Sequence, residues 1–121
     1  MEYGILAIDP AKSTGWVYVL VSEVCFENNV GFYKMKDDMY INIIEYGIIE
    51  VDTNTTEGQY ICKYKENIKT LIDRFNIDSI VVENYFFSMK ARQGALVNVY
   101  LRSMIYLLCE ELDKPYEIVS V

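Results

Sequence analysis

The chain has 121 residues, of which 52% are hydrophobic and 24% charged, and its formal net charge is −7 at pH 7. This length and composition are typical of one soluble domain, and no apolar run is long enough for a membrane-spanning helix. The N-terminus MEYGILAIDP lacks the basic residues of a secretory signal, so we expect a cytoplasmic protein, and the acidic balance disfavours non-specific nucleic-acid binding unless basic residues are clustered locally.

The first part of the chain predicts three β-strands. Residues 3 to 9 and 15 to 22 are short apolar runs separated by an Asp-Pro turn, and they indicate a hairpin. Residues 23 to 40 have weaker patterning with Asn-Asn and Asp-Asp turn signals, so we interpret them as an inserted loop or a small added hairpin. Residues 41 to 52 predict a third strand, with a bulge at Gly47.

The second part predicts two helices that alternate with two strands. Residues 57 to 75 form an amphipathic helix entered through a Thr or Asn cap, with its apolar face at Ile61, Tyr64, Ile68, Leu71, Ile72 and Phe75. Residues 79 to 82 are apolar on both faces, which favours a buried parallel strand. A helix over about 89 to 113 has two apolar stripes, which indicates packing against the sheet and a second surface. The first stripe comprises Val97, Leu101, Met104, Ile105, Leu108 and Leu112, and the second comprises Leu96, Val99, Tyr100 and Leu107. Residues 116 to 121 predict a fifth strand.

The order β-β-β-α-β-α-β predicts an α/β fold with a five-stranded mixed sheet. The first three strands suit an antiparallel meander, and the later ones suit parallel crossovers with the helices packed on the sheet. No linker, repeat or low-complexity segment divides the sequence, so we expect a single domain over residues 1 to 121.

Two acidic residues directly follow strands that are predicted to be buried, Asp9 after the first and Glu83 after the fourth. If these strands are neighbours, the two carboxylates meet at one edge of the sheet, where open α/β sheets place their sites. Such a pair favours a hard cation, Mg²⁺ or Mn²⁺. A simpler interpretation is a turn residue at Asp9 and a solvated strand end at Glu83.

Histidine is absent and the three cysteines are widely spaced. These features exclude a disulfide framework, a zinc site and nucleophiles paired with histidine. We expect Cys25, Cys62 and Cys109 to be reduced and mostly buried. Carboxylates, with lysine or tyrosine in support, remain as the groups able to do chemistry at neutral pH.

Two stretches resemble motifs of the RuvC-type Holliday junction resolvases, within the RNase H-like superfamily. The stretch AIDPAKSTGW resembles their first motif, an apolar strand followed by Asp-Pro, a short loop and Thr-Gly-aromatic. The stretch VVENYFF resembles their second, in which a strand ends in Glu and an aromatic follows three positions later. The similarity extends over nearly the whole chain apart from residues 23 to 40, and it implies an RNase H-like fold and a metal-dependent nuclease of branched DNA.

The resemblance implies specific roles at the predicted sheet edge. Asp9 and Glu83 match the two carboxylates that bind Mg²⁺ or Mn²⁺ and serve catalysis. The family dimerises through its long helix, so the resemblance also implies a homodimer through residues 89 to 113, which suits a two-fold symmetric four-way junction.

The resemblance also implies a DNA-binding set. Phe86 matches an aromatic that stacks on an unpaired base, although a core position for it remains an alternative. Lys90 and Arg92 are expected to reach phosphates, although a solvated helix face explains them as well. Lys12 and Thr14, in the loop after the first strand, complete the set.

The sequence departs from the family pattern at two places. Ala11 replaces the usual glycine after Asp-Pro, and the further carboxylate pair that the family carries on a C-terminal helix is absent. We therefore expect either a fragment of a resolvase, with Mg²⁺-dependent endonuclease activity in its complete form, or a short relative that is inactive. The alternative function is a catalytically silent DNA-binding or protein-interaction module. A phosphate-binding, sugar-kinase-like member is disfavoured because no glycine-rich phosphate loop is present.

Overall fold

The computed structural model describes residues 2–52, 54–83 and 92–119, with the backbone alone for 92–98. Six strands and two helices follow one another along the chain in the order β1 Tyr3–Asp9, β2 Ser13–Ser22, β3 Gly31–Lys34, β4 Tyr40–Glu50, α1 Glu57–Arg74, β5 Ser79–Glu83, α2 Arg92–Glu111 and β6 Tyr116–Val119. Within these ranges, neither helix is both long and apolar enough to cross a membrane.

The strands form one mixed sheet in the order β3-β4-β2-β1-β5-β6. Strands β1 to β4 pair antiparallel, whereas β5 pairs parallel with both β1 and β6. The predicted division between an antiparallel meander and later parallel strands is therefore confirmed. It places β1 at the centre of the sheet, between its hairpin partner and the first parallel strand.

The sheet has six strands rather than the predicted five. The additional strand, β3, lies in the segment 23–40 and pairs antiparallel with β4, so this segment contains a hairpin rather than an unstructured loop. A short 3-10 turn connects the two strands, and Asp37 and Asp38 have positive φ angles there, 66° and 58°. Asp is one of the few residues that tolerate this conformation, which explains how an Asp-Asp pair forms the turn.

The loop before β3 is held by a buried amide. The Asn42 side chain is fully buried, and its oxygen accepts hydrogen bonds from the Phe26 N–H and from Asn29. Its nitrogen donates to the carbonyl oxygens of Leu20 and Val24. All four hydrogen-bonding positions of this amide are used, so the loop is fastened to β2 and β4 rather than projecting from them.

The bulge predicted at Gly47 is wrong. Gly47 pairs in register with Trp16, and the register shifts between Tyr18 and Val19 of β2, opposite Ile44 of β4. Gly47 has a different purpose, because a Cβ atom there would lie 2.8 Å from Cζ2 of the Trp16 indole. The glycine leaves room for a large ring to lie against β4, and the sequence pattern alone does not distinguish these two uses of a strand glycine.

Helix α1 begins with a capping box, as the Thr-rich entry predicts. The Thr56 hydroxyl accepts a hydrogen bond from the Gln59 N–H, and the Gln59 side chain accepts one from the Thr56 N–H. Four residues of the predicted apolar face are buried, Tyr64, Ile68, Leu71 and Ile72. The amphipathic pattern therefore identified the face that packs on the sheet.

The core lies between the two helices and one face of the sheet. Residues of β1 and β5 alternate along each strand, and Leu6, Ile8, Ile80 and Val82 are at most 2% exposed. These side chains pack in one cluster with the buried faces of both helices. The side chains between these buried residues point to the opposite face of the sheet. No helix of the described ranges covers that face, so Tyr46 and Ile48, which lie on it, are 69% and 67% exposed.

Helix α2 fits its predicted apolar stripes only in part. Leu101, Met104, Ile105 and Leu108 are buried in the core, whereas Val99, Tyr100 and Leu107 are 44–56% exposed. The first stripe therefore packs on the sheet as expected. The second stripe faces outward from the described part of the chain.

All three cysteines are free, as predicted. Cys109 is buried, Cys25 is half-buried and Cys62 is exposed. The expectation of mostly buried thiols is therefore wrong for Cys62, which lies on the outer side of α1. Burial raises the pKa of the Cys109 thiol to about 11, which keeps it protonated and unreactive at neutral pH.

Candidate functional site

Asp9 and Glu83 end neighbouring parallel strands at the same edge of the sheet. The register pairs Ile8 of β1 with Val82 of β5, and each carboxylate follows one residue later. Because successive side chains of a strand point to opposite faces, burying Ile8 and Val82 beneath the helices places Asp9 and Glu83 on the face that the helices leave uncovered. The expectation that the two strands are neighbours is confirmed.

The two carboxyl groups are in direct contact. The pKa of Glu83 is raised by partial burial, by the negative charge of Asp9 and by a hydrogen bond with the Asp9 side chain. Each of these influences disfavours the ionised form of Glu83, so Glu83 binds a proton more readily than a solvated glutamate does. A bound cation relieves the same repulsion.

The carboxylates lie in an open groove of about 400 Å³ on the uncovered face. Its floor is made of small and β-branched residues of β1, β2 and β5, together with one residue of β6. They are Ala7, Gly15, Val17, Val81 and Val119. Gly15 pairs directly with Asp9, and a Cβ atom there would meet nothing within 4 Å, so the groove is open beside the carboxylate.

The loop after Asp9 is fixed by Thr14. The Thr14 hydroxyl donates a hydrogen bond to the Ala11 carbonyl oxygen at 2.6 Å and accepts one from the Ala11 N–H at 3.1 Å. The Tyr64 phenol of α1 lies 2.5 Å from the same hydroxyl. Ala11 occupies the position where the family usually has glycine, and its N–H and carbonyl both take part in this closed turn.

The structure corrects the predicted DNA-binding role of Thr14. Its side chain is fully buried and its hydroxyl is committed to Ala11 and Tyr64. A hydroxyl in this position stabilises the loop from within and is not available to a phosphate. The neighbouring Lys12 is exposed, and its expected phosphate contact stays a prediction.

The remaining predicted DNA contacts lie at or beyond the edge of what the structure describes. Phe86 and Lys90 fall outside the described residues. Arg92 begins α2, but its side chain also lies outside them. Their expected roles stay predictions.

The carboxylate oxygens of Asp9 and Glu83 are the type of ligand that a hard divalent cation prefers, but two carboxylates are fewer ligands than such a cation takes. Within the described ranges, no group of three or more His, Cys, Asp or Glu side chains converges on one point. Mg²⁺ takes six oxygen ligands and commonly retains several waters. Two carboxylates in contact are therefore able to hold one such ion with water completing its shell, whereas a two-metal cluster needs more carboxylates than this edge supplies.

Sequence reasoning missed Tyr64 as a residue connected to this site, because its spacing assigns it only to the apolar face of α1. The signal that was available is chemical. A tyrosine on a fully buried helix face needs a partner for its hydroxyl, and Thr14 is the residue that provides it.

Comparison with known proteins finds similarity to this chain in both sequence and fold. No family model matches the chain. The crossover junction endodeoxyribonuclease RuvC of Dictyoglomus thermophilum is 24% identical over 85 residues, which are 70% of this chain and 53% of that protein. The chain thus spans about half the length of this curated relative.

Two solved structures share the fold. Thermus thermophilus RuvC superposes with a TM-score of 0.73 at 14% identity, over 99% of this chain and 64% of that one. T. thermophilus RuvC in complex with a Holliday junction substrate superposes with a TM-score of 0.69 at 10% identity, over 98% and 64% of the two chains. In sequence the chain is thus similar to one RuvC resolvase, and its fold is the RNase H-like fold of T. thermophilus RuvC.

Proposed function

We propose that this chain is the metal-binding core of a RuvC-like resolvase that acts on four-way DNA junctions. The observation that carries the proposal is the contact between the Asp9 and Glu83 carboxyl groups at the ends of adjacent parallel strands. The relation to RuvC supports the substrate class, because one of the related structures is bound to a Holliday junction.

Each residue of the site has a role that follows from its position. Asp9 and Glu83 would hold one divalent cation, and a cation bound there would supply activation of water and stabilisation of the leaving oxygen. Lys12, three residues after Asp9, is exposed, and its proposed role is to contact a phosphate of the DNA backbone.

The number of ligands limits what these residues achieve by themselves. With two carboxylates, the described residues supply part of a two-metal site, and efficient in-line hydrolysis requires more. We therefore expect junction binding and metal binding from this chain, with hydrolysis that is slow unless further carboxylates are supplied. The inactive binding module becomes the better description if metal binding also fails.

A homodimer through α2 is part of the proposal. Tyr100 and Leu107 are seven residues apart, so they lie on one side of the helix, and both are largely exposed in the single chain. A two-fold partner burying this side suits the two-fold symmetry of a junction. Leu107→Glu is expected to give a monomer in sedimentation, whereas Val24→Glu, at a position that is also 56% exposed, leaves the assembly unchanged.

The decisive experiment combines a synthetic four-way junction with Mg²⁺ or Mn²⁺. Binding is measured by gel shift in EDTA, and cleavage is measured after adding the cation. Asp9→Asn and Glu83→Gln are expected to abolish cleavage and leave binding in EDTA intact. Asp38→Asn, on the exposed turn of the edge hairpin, serves as the matched loss of one carboxylate. Cleavage that survives Asp9→Asn rules out this site, and failure to bind the junction rules out the substrate class.

A further inference from the structure

A buried phenol connects the helical layer to the loop that begins at Asp9. Tyr64 lies in the second turn of α1, its side chain is fully buried, and its hydroxyl is 2.5 Å from the Thr14 hydroxyl. Thr14 in turn bonds both backbone groups of Ala11. A continuous chain of hydrogen bonds therefore extends from α1 to a backbone position two residues after Asp9.

The direction of these hydrogen bonds is determined by counting protons. A threonine hydroxyl has one proton and two lone pairs. The Ala11 carbonyl oxygen has no proton, so the Thr14 proton is donated to it, and the two lone pairs accept from the Ala11 N–H and from Tyr64. Tyr64 is thus the donor, and burial supports this role because it raises the pKa of the phenol to about 12. Every hydrogen-bonding position of the Thr14 hydroxyl is filled.

The hydrogen bonds behind Asp9 matter because the charge of Glu83 repels the Asp9 carboxylate. Asp9 and Glu83 repel one another when both are ionised, and Asp9 itself is exposed on an uncovered face. On one side, Asp9 is held by the ladder of β1 with β2. On the other side it enters the loop, where Pro10 is buried and Ala11 is fastened by Thr14.

We propose that Tyr64 is a positioning residue for the cation site, fixing the Asp9 carboxylate through Thr14 and the Ala11 backbone. The inference rests on the proposed function, in which Asp9 holds a divalent cation. Mg²⁺ demands nearly ideal octahedral geometry, so freedom of one of its two protein ligands weakens the site. Partners that orient a ligand from behind influence metal affinity without touching the metal.

The test compares two Tyr→Phe substitutions on the same helix. Tyr64→Phe removes the donor and keeps the ring, whereas Tyr60→Phe removes a phenol oxygen that is buried without a hydrogen-bond partner in the described part of the chain. The Mn²⁺ dissociation constant is measured by electron paramagnetic resonance at a temperature where melting curves show each variant folded. We expect Tyr64→Phe to weaken Mn²⁺ binding roughly three- to tenfold. Tyr60→Phe is expected to remain within twofold of the wild type.

Two further variants separate positioning from a general loss of stability. Thr14→Ser keeps the hydroxyl and is expected to bind Mn²⁺ as the wild type does. Thr14→Val removes the central hydroxyl of the hydrogen-bond series from Tyr64 to Ala11. Adding Tyr64→Phe to it is therefore expected to cause no further loss of Mn²⁺ affinity. Equal Mn²⁺ affinity in Tyr64→Phe and Tyr60→Phe, or fully additive losses in the double variant, would overturn the proposal.

A failure of the proposed function gives a different result. If the wild type binds no Mn²⁺, or if Asp9→Asn binds it equally well, the cation site itself is wrong. The hydrogen-bond chain is then judged by amide hydrogen exchange at Ala11, whose N–H is bonded to Thr14. Faster exchange in Tyr64→Phe than in Tyr60→Phe supports positioning of the loop, and equal rates overturn it.

Discussion

Asp9 and Glu83 contact each other through their carboxyl groups at the ends of two parallel strands, on the sheet face that the described helices leave uncovered. Folding brings two acidic groups together there, and they repel when both are ionised. A fold selected for stability alone has no reason to retain such a pair. This repulsion, together with the groove beside the pair, supports the proposed cation site over the ordinary solvated strand ends that the sequence left as an alternative.

Asp9→Asn is expected to stabilise the cation-free protein at neutral pH. Glu83 has a raised pKa in the folded state, so the stability linked to its proton is present below pH 4.5 and is lost as pH rises through the folded-state value. Burial is the largest cause of the raised pKa and remains in the variant, but asparagine removes the repelling charge and therefore part of this loss. The gain at pH 7 should be about 0.5 kcal/mol, as for other charge pairs near a surface.

Urea unfolding at pH 4 and pH 7 measures this effect. The difference between Asp9→Asn and the wild type should be larger at pH 7 than at pH 4, whereas Asp38→Asn should show no such dependence. A variant that is less stable than the wild type at pH 7 would show that Asp9 makes a stabilising contact instead.

Mg²⁺ is expected to make the wild type more stable than Asp9→Asn, which reverses their order of stability without the cation. A cation that binds only the folded state raises the free energy of unfolding by RT ln(1 + [L]/Kd), about 1.4 kcal/mol at a tenfold excess over Kd. The wild type gains this stabilisation and Asp9→Asn does not. Thermal melts with MgCl₂, compared with NaCl at equal ionic strength, check the expectation, and an equal shift in both proteins would place the cation elsewhere.

Gly4→Ala is expected to destabilise the fold by about 1–3 kcal/mol, the usual cost of overpacking. A Cβ atom on Gly4 would collide with the Asn76 carbonyl oxygen and lie 2.7 Å from the Tyr18 hydroxyl. That hydroxyl donates to the same carbonyl at 2.7 Å, so neither group moves away without breaking the hydrogen bond. The glycine is required by a close approach between β1 and the turn before β5.

Gly58→Ala is the matched control, because a Cβ atom there meets nothing within 4 Å and the residue lies in the first turn of α1. It should be neutral or stabilising by up to about 1 kcal/mol, since alanine favours the helix. Denaturant midpoints for the two variants test the contrast, and equal midpoints would mean that the strand at Gly4 adjusts freely.

The sequence predicted the parts of this fold that depend on periodicity and on strand ends. The buried face of α1, its Thr56 cap and the neighbouring carboxylates Asp9 and Glu83 all follow from local patterns. The additional strand β3 was anticipated only as one of two alternatives, a small added hairpin, because GFYK has no clear alternation and its side chains are largely exposed. Strand β3 forms because the edge of β4 is available for pairing and the Asp37–Asp38 turn reverses the chain between the two strands.

The site was predictable only in its acidic residues. Thr14 is part of the stretch that resembles the first motif of the RuvC-type resolvases, and that resemblance implied contact with DNA. Its burial depends on Tyr64, fifty residues away, and no local pattern reveals that pairing. Gly47 is similar, because its conformational freedom suggested a bulge whereas the packing of Trp16 explains it. Long-range contacts decided both outcomes.

Tyr64→Phe is expected to lose stability at neutral pH and to gain it relative to the wild type at alkaline pH. At pH 7 the variant lacks one buried hydrogen bond, a loss of about 1 kcal/mol. The pKa of Tyr64 is raised from 10.0 to about 12, chiefly by burial, so its contribution is complete below pH 10 and is lost as pH rises through 12. At ~1.4 kcal/mol for each pH unit between these values, the wild type loses about 2–3 kcal/mol of stability that the Tyr64→Phe variant does not lose.

The difference in free energy of unfolding between Tyr64→Phe and the wild type should therefore change sign between pH 10 and 12, with Tyr33→Phe, at an exposed ring, as the baseline. Denaturant unfolding followed across this range measures it, and a constant difference at all pH values would mean that the phenol ionises without leaving its site.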